Sequence, residues 1–328
     1  MCCDEDVIST GIPERADGSD NGGDSGGGAA RIPGPDPSAG APNDAATDVE
    51  TLAAVATVVA EAAAGHVRVR RPEVLGGIGG RRAVADGAVA TKSAPTDPVT
   101  IVDTETERLV RDLLARLRPG DSVLGEEAGG GDAPAGGVQW VVDPIDGTVN
   151  FVYGLPAYAV SLAARVDGVT LAGVVVDVSR RLTYRAVLGG GAEVIDADGE
   201  AHSLVCSDRT ELATALIATG FGYASARRER QAHALATVLP AVRDIRRVGS
   251  AALDLCMVAT GTVDASYEHG LHPWDWAAGA LIAAEAGAIV RLPSGPTDLT
   301  LAAAPGIADD LLDLLDRAGI AGSIDAVS

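Results

Sequence analysis

Lysine is nearly absent from this 328-residue chain, because Lys92 is the only one against 24 arginines. Aromatic residues make up only 3% of the chain, although hydrophobic residues reach 47%. A core of that composition has to be built from closely packed Ala, Val and Leu. The four cysteines, Cys2, Cys3, Cys206 and Cys256, are too few and too scattered for a disulfide framework.

Positive charge is scarce as a whole, since 46 acidic residues outnumber 25 basic ones and leave a formal net charge of −21. Such a balance disfavours nucleic acid and anionic membranes as partners. Long hydrophobic runs are missing too: Leu52 to Ala64, the longest apolar segment, is interrupted by Glu61 and too short to span a bilayer. The sequence shows no signal peptide at its start, so we expect a reducing, cytoplasmic location.

Residues 1–46 differ from the rest of the chain. They are rich in Gly, Asp, Pro and Ser and show no apolar periodicity. Such a segment cannot bury enough apolar surface to offset the entropy of ordering, so we expect a disordered acidic tail. A start codon assigned too early and a regulatory tail are the alternatives.

The remaining chain is expected to form two packed domains. In 47–205, a helix to about Val69 precedes an amphipathic helix, for which Thr104 and Glu107 form a capping box after a strand ending at Asp103. Alternating strands with Asp-Gly turns then indicate an antiparallel sheet. In 206–328, strands alternate with helices, which is the α/β pattern. The strands predicted there are 215–219, 244–248, 263–267 and 288–292, and the helices are 227–239, 250–259, 274–286 and 306–318.

The most informative motif is Asp143-Pro-Ile-Asp146-Gly-Thr148, which follows a buried strand predicted at Val138 to Val142. Gly147 and Thr148 lie where the backbone can turn sharply and offer N–H groups to an anion. Two carboxylates beside amide donors suit divalent cations held against a phosphate, because Mg²⁺ takes a few carboxylate oxygens and completes its shell with water and phosphate. An ordinary Asp-rich turn after a strand is the alternative.

This motif resembles the central signature of the inositol monophosphatase family of metal-dependent phosphatases. Two further blocks of that family occur in the same order: Lys92 to Asp103 with Gly125-Glu126-Glu127 upstream, and Glu268 to Asp275 downstream. The resemblance runs from about residue 49 to about 319 and is strongest to the SuhB-type inositol-1-monophosphatases of bacteria. It implies an α+β / α/β fold, the layered αβαβα sandwich of inositol monophosphatase and fructose-1,6-bisphosphatase, and a homodimer.

The resemblance also implies a set of metal ligands. Glu126, Asp143 and the carbonyl of Ile145 correspond to ligands of a first Mg²⁺. Asp143, Asp146 and Asp275 correspond to ligands of a second, at which Li⁺ would inhibit. Glu126 would also reach a third, weaker ion through water, and Mn²⁺ would substitute for Mg²⁺.

Catalytic and substrate contacts are implied in the same way. Asp103 and Thr148 would activate water, with the hydroxyl relaying a proton to the carboxylate, and Glu126 completes the catalytic set. The amides of Gly147 and Thr148 would hold phosphate oxygens. Ala251 and Glu268 would contact the polyol. Lys92 and Glu127 would assist the metal ligands without binding metal themselves. A Gly-rich loop at 76–90 would close over the site.

Other enzyme classes lack support, because the chain has no Gly-x-Ser-x-Gly elbow, Walker lysine loop or dinucleotide fingerprint. Hydrolysis of myo-inositol 1-phosphate is therefore predicted, with histidinol phosphate, fructose 1,6-bisphosphate and 3′-phosphoadenosine phosphate as alternative substrates. A binding protein is the second class, because SuhB-type proteins have been linked to transcription complexes. Trp276 departs from the family pattern and either narrows the pocket or faces the core. We expect His269 and His272 to be packing or surface residues.

Overall fold

The computed structural model describes residues 48–76, 87–92 and 96–324. The predicted tail at 1–46 and most of the Gly-rich loop at 76–90 lie outside these residues. The described helices are α1 (Val49–Leu75), α2 (Ile101–Leu117), α3 (Thr148–Tyr153), α4 (Ser225–Val238), α5 (Ala251–Ala259), α6 (Pro273–Glu285) and α7 (Ala308–Arg317). The strands are β1 (Val89–Thr91), β2 (Pro98–Thr100), β3 (Ser122–Gly125), β4 (Val138–Asp146), β5 (Ala159–Val166), β6 (Val169–Asp177), β7 (Leu182–Val187), β8 (Gly191–Ile195), β9 (Ala201–Ser203), β10 (Leu216–Thr219), β11 (Asp244–Arg246), β12 (Ala265–His269), β13 (Ile289–Arg291) and β14 (Leu299–Ala303).

The larger sheet has seven strands in the order β3-β4-β5-β6-β7-β8-β9. It is antiparallel except for the parallel pair β3–β4. Helices α1 and α2 pack on one face and α6 on the other, so all nine residues of β4 are buried. A strand covered on both faces is apolar along its length, which is why the sequence around Val138 to Val142 shows a continuous run rather than alternation.

The smaller sheet has five strands in the order β11-β10-β12-β14-β13, of which the first three are parallel. Helices α5 and α6 lie between the two sheets, and α4 and α7 pack on the outer face of the smaller one. The layers are therefore α1/α2, the larger sheet, α5/α6, the smaller sheet and α4/α7. The αβαβα sandwich predicted from the sequence is confirmed. The division at residue 205/206 stays a prediction.

Helix α1 is longer than the sequence indicated. Asp48 caps it by accepting a hydrogen bond from Thr51 N at 3.2 Å. Among the described residues, α1 is the one helix long and apolar enough to cross a membrane by length and composition alone, a test that core helices also pass. Its Ala- and Val-rich face is buried against β5, β6 and β7, which makes it a core helix of the first layer.

Helix α2 begins earlier than predicted, at Ile101, and the predicted capping box at Thr104 and Glu107 is wrong. Thr100 is the N-cap: its hydroxyl accepts from Val102 N, and its own N–H donates to Asp103 Oδ2 at 2.9 Å. This earlier box satisfies the same helix-end amides. Asp103 consequently lies inside the first turn of α2 rather than at the end of a strand.

Five of the described strands, β1, β3, β8, β9 and β14, were not predicted individually, and β14 is the clearest case. Its Leu-Thr-Leu-Ala-Ala sequence favours no particular structure by itself, but the segment lies between β12 and β13 and is buried throughout. Packing in the sheet, rather than local propensity, decides its conformation.

Candidate metal centre

The carboxyl end of β4 carries the central motif. Asp143 and Asp146 pair with β5 on either side of a register shift, and the Ile145 N–H donates to Asp143 Oδ1 at 3.0 Å. Gly147 then turns the chain with φ 94°. A Cβ on Gly147 would lie 2.9 Å from the carbonyl oxygen of Ala157, so both the backbone angle and the space require glycine. The turn leaves the two aspartates together at the start of α3.

Asp275 reaches the same place from the other half of the chain. It is in the first turn of α6, as predicted, and its Oδ2 accepts a hydrogen bond from His272 N at 2.6 Å. One carboxylate oxygen from each of Asp143, Asp146 and Asp275 lies within 4.8 Å of the other two. Within the described part of the chain, no basic side chain forms an ion pair with any of the three.

Burial makes the ionised form of these three carboxyl groups unfavourable when no cation is bound. Burial and then the neighbouring carboxylates raise the pKa of Asp143 and that of Asp275 well above the usual range. Burial raises the pKa of Asp146 to about 6, although hydrogen bonds from Ser250 Oγ (2.6 Å) and Ala252 N (2.7 Å) oppose it. A divalent cation fits this arrangement, because its charge would compensate both the desolvation and the mutual repulsion.

Glu126 and Glu127 approach from the loop after β3, and Lys92 lies between them. The Lys92 ammonium is 2.7 Å from Glu126 Oε1 and 2.6 Å from Glu127 Oε1. Burial alone would lower the pKa of Lys92, but the two glutamates outweigh it and raise that pKa. Glu126 lines the same cavity as Asp143, although its carboxylate is outside the 4.8 Å cluster. Lys92 therefore contacts both glutamates, and its supporting role toward the metal ligands stays a prediction.

Thr148, the first residue of α3, connects the cluster to α2. Its hydroxyl oxygen lies 3.1 Å from Asp103 Oδ1 and 3.0 Å from the Ile145 carbonyl oxygen, and its single proton can be donated to either. Asp103 is fully buried, and burial raises its pKa to about 6 despite the hydrogen bonds from Thr100. A hydroxyl beside a carboxyl with this pKa can pass a proton near neutral pH.

The cavity extends from the carboxylates to the end of β12. Its volume is about 480 Å³, within the range of small-ligand pockets. Glu268, Ala251, Gly147 and Thr148, for which substrate contacts were predicted, all line it. Burial raises the pKa of Glu268 to about 7, while the nearby Arg247 charge lowers it.

Some residues in and around the site were missed by sequence reasoning. Ser250 is the clearest, since its hydroxyl donates to Asp146 and also accepts from Leu253 N as the cap of α5. Its place between Gly249 and Ala251 was the available signal. Tyr223, Arg227 and Arg247 were missed as well, and all three line the cavity.

Two questions about aromatic and histidine residues are answered by packing. Trp276 is buried in the core around α5 and α6 and faces away from the cavity. His269 Nε2 lies 2.8 Å from the Ile320 carbonyl oxygen, as a packing residue would. His272 stacks on Trp274 with ring centroids 4.9 Å apart.

Comparison with known proteins supports the same assignment. The model of the inositol monophosphatase family matches residues 46–325. An inositol-1-monophosphatase SuhB of Mycobacterium tuberculosis (strain H37Rv) is 58% identical over 275 residues, which cover 81% of this chain and 93% of that protein. A Nus factor SuhB of Pasteurella multocida is 38% identical over 234 residues, 70% of this chain and 86% of that protein. The solved structure of Mycobacterium tuberculosis SuhB matches with a TM-score of 0.71 and 53% identity, covering 83% of this chain and 98% of that one.

Sequence similarity, fold and the arrangement of the carboxylates thus all indicate the same family. The family match spans both sheets and all seven helices named above. The chain belongs to the inositol monophosphatase family and is a phosphatase of that family.

Proposed function

We propose that this protein hydrolyses phosphate monoesters of polyols, with myo-inositol 1-phosphate as its substrate and Mg²⁺ as its metal. The observation that carries the proposal is the cluster of Asp143, Asp146 and Asp275, whose carboxylates lie within 4.8 Å of one another, the first two buried and the third partly buried. Among the described residues, no basic side chain forms an ion pair with any of them. Such an arrangement is stable in charged form only with a bound cation, and hard oxygen ligands favour Mg²⁺ or Mn²⁺.

The ligands divide between two ions. Glu126, Asp143 and the Ile145 carbonyl would hold one, and Asp143, Asp146 and Asp275 the other, while Glu126 would reach a third through water. The metals, when bound, lower the pKa of water and stabilise charge on the phosphoryl group and its leaving oxygen. Hydrogen bonds from Ser250 and Ala252 support this assignment, because they fix Asp146 Oδ2 and leave Oδ1 for a metal.

Proton transfer falls to Thr148 and Asp103. The Thr148 hydroxyl would take a proton from the attacking water as it donates its own to Asp103 Oδ1, 3.1 Å away. Asp103 Oδ2 is held by Thr100 N, so the accepting oxygen keeps its orientation. The N–H groups of Gly147 and Thr148 would bind phosphate oxygens at the floor of the cavity.

The alcohol part of the substrate would lie against Ala251 and Glu268. The Glu268 carboxyl group, partly buried beside Arg247 and with a pKa raised to about 7, can accept a hydrogen bond from a hydroxyl group or donate one to it. A polyol such as inositol offers several such hydroxyls. Histidinol phosphate, fructose 1,6-bisphosphate and 3′-phosphoadenosine phosphate are the competing substrates, and each offers fewer free hydroxyl groups than inositol 1-phosphate.

A phosphate-release panel with these four compounds and Mg²⁺ tests the proposal. Inositol 1-phosphate should give the highest kcat/KM, and Glu268→Gln should reduce that preference. A higher kcat/KM for any of the other three would contradict the proposed substrate while leaving the metal-dependent reaction in place.

A homodimer in the cytoplasm is part of the same proposal, and light scattering on the purified protein tests the dimer. The Pasteurella multocida relative is named a Nus factor. For this chain, the cluster of Asp143, Asp146 and Asp275 favours catalysis, and the net charge of −21 disfavours direct contact with RNA.

A further inference from the structure

Glu107 is a buried carboxylate on α2 with no role in the reaction described above. It lies one helical turn after Asp103, on the same side of the helix, and only 2% of it is exposed. Its Oε2 accepts a hydrogen bond from Glu127 N at 2.7 Å, and its Oε1 accepts one from Ala128 N at 3.1 Å. Both oxygens are therefore directed at the backbone of the loop that carries Glu126.

Gly125 and Arg111 complete the contact. A Cβ on Gly125 would lie 2.4 Å from the carboxyl carbon of Glu107, so the carboxylate rests directly on this glycine. Arg111 Nε donates to Glu107 Oε1 at 2.8 Å. The same guanidinium donates to the carbonyl oxygens of Val123, at 3.2 Å, and Gly129. One arginine thus compensates the buried charge and joins both ends of the loop.

Glu126 lies in the middle of this loop. Its own N–H donates to the Val142 carbonyl oxygen of β4 at 3.2 Å. The amides of three consecutive residues, 126 to 128, are therefore fixed, one by β4 and two by Glu107. These hydrogen bonds restrict the backbone at Glu126, so the side chain starts from a fixed position beside the cavity.

We propose that Glu107, held by Arg111 and seated on Gly125, is a positioning residue that directs the Glu126 carboxylate toward the metal. This inference rests on the proposed function, because it takes Glu126 to be a metal ligand. Since Asp103 is on the same helix, α2 sets the position of the proton acceptor and of the ligand loop together.

The test is metal binding in the absence of substrate, measured by calorimetric titration of the full-length protein with Mn²⁺ and Mg²⁺. Glu107→Gln keeps the shape of the side chain but replaces one acceptor with a donor that faces a backbone N–H. It should weaken binding of the ion held by Glu126 by about 10–100-fold, the usual effect of removing such a supporting contact. Glu105→Gln is the matched control, because Glu105 is on the same helix but forms an ion pair with Arg70, with 2.8 Å between Oε2 and Nε. Neither residue lines the cavity. The affinity of Glu105→Gln should equal that of the wild type.

The double variant separates positioning from a general loss of structure. If Glu107 acts through Glu126, then Glu107→Gln should add no further loss of affinity in a Glu126→Gln background. Additive losses, or unchanged affinity in Glu107→Gln alone, would overturn the inference. Unchanged affinity in Glu126→Gln would instead contradict the ligand assignment of the proposed function. If Glu107→Gln does not fold, as judged by circular dichroism, Arg111→Lys serves, because it retains the charge but cannot join both ends of the loop.

Discussion

Thr148 and Asp103, 45 residues apart in sequence, are joined by a 3.1 Å hydrogen bond between Oγ1 and Oδ1. The bond connects the first residue of α3 to the first turn of α2 beneath the carboxylate cluster. Two roles therefore fall to different residues. Thr148 and Asp103 would transfer the proton, and Asp143, Asp146 and Asp275 would bind metal.

Thr148→Ala should therefore slow turnover without preventing metal binding. Loss of the hydroxyl removes the path of the proton, and contributions of this kind are about 10²–10⁴-fold. Asp143→Asn, in contrast, should abolish both activity and binding, because Asp143 is assigned to two ions. Phosphate release and Mn²⁺ titration on both variants provide the measurement. If Thr148→Ala weakened metal binding as much as Asp143→Asn does, the division of tasks would be wrong.

Lys92→Met should raise the Mg²⁺ concentration needed for half-maximal activity. Lys92 is the cation that compensates Glu126 and Glu127, and without it the two carboxylates repel each other and Glu126 is no longer held in the cavity. The activity of wild type and variant is compared over a range of Mg²⁺ concentrations, with Arg246→Met, at an exposed ion pair with Asp244, as the control. A lower Mg²⁺ requirement in Lys92→Met would show that the lysine competes with the metal instead.

Gly220→Ala should raise KM for inositol 1-phosphate with a smaller effect on kcat. An added Cβ would lie 2.0 Å from Glu268 Oε2, so the carboxylate has to leave its position in the alcohol-binding part of the cavity. Gly131→Ala is the control, because a Cβ there meets nothing within 4 Å. Steady-state kinetics with both variants decides the matter, and equal KM values for the two would contradict the position assigned to Glu268.

The metal-free protein should lose stability as pH rises. Burial raises the pKa of Asp103 and Asp146 to about 6 and that of Glu268 to about 7 in the folded state. Because the folded state binds these protons more tightly than the unfolded chain, their contribution to stability is complete below about pH 4 and is lost as pH rises through 6–7.

Mg²⁺ should reverse this trend, since it binds the charged carboxylates and stabilises the folded state. The gain in Tm on adding Mg²⁺ should consequently be larger at pH 8 than at pH 5. Thermal unfolding with chelator and with Mg²⁺ at both pH values measures the gain, and Asp143→Asn should show a smaller gain at pH 8. An equal or larger gain at pH 5 would contradict the assignment of these carboxylates.

The layered fold and the position of the carboxylate cluster could be predicted because the sequence motifs occur in the same order as in the family. Asp143 and Asp146 are at the carboxyl end of β4, and Asp275 is in the first turn of α6. The strand end and the helix end bring the three residues together. The start of α2 could not be predicted so well, because Thr100 with Asp103 and Thr104 with Glu107 both satisfy the rule for a capping box. Burial of Glu107 under the 125–129 loop decides between them, and that contact is invisible in sequence.

Ser250 shows the same limit within the site. A serine before a helix is expected to cap it, and Ser250 does so for α5. Its second bond, to Asp146 across 104 residues, depends on the packing of α5 between the two sheets. Long-range contacts of this kind follow from the tertiary structure and not from local pattern.

The central claim is that the carboxylate cluster holds the metal that makes phosphate hydrolysis possible. The most direct measurement is phosphate release from inositol 1-phosphate by protein treated with a chelator, before and after Mg²⁺ is restored, in the wild type and in Asp143→Asn. We expect turnover only in the wild type with Mg²⁺. Full turnover by the chelated wild type, or recovery of the Asp143→Asn variant to the wild-type rate with Mg²⁺, would contradict it.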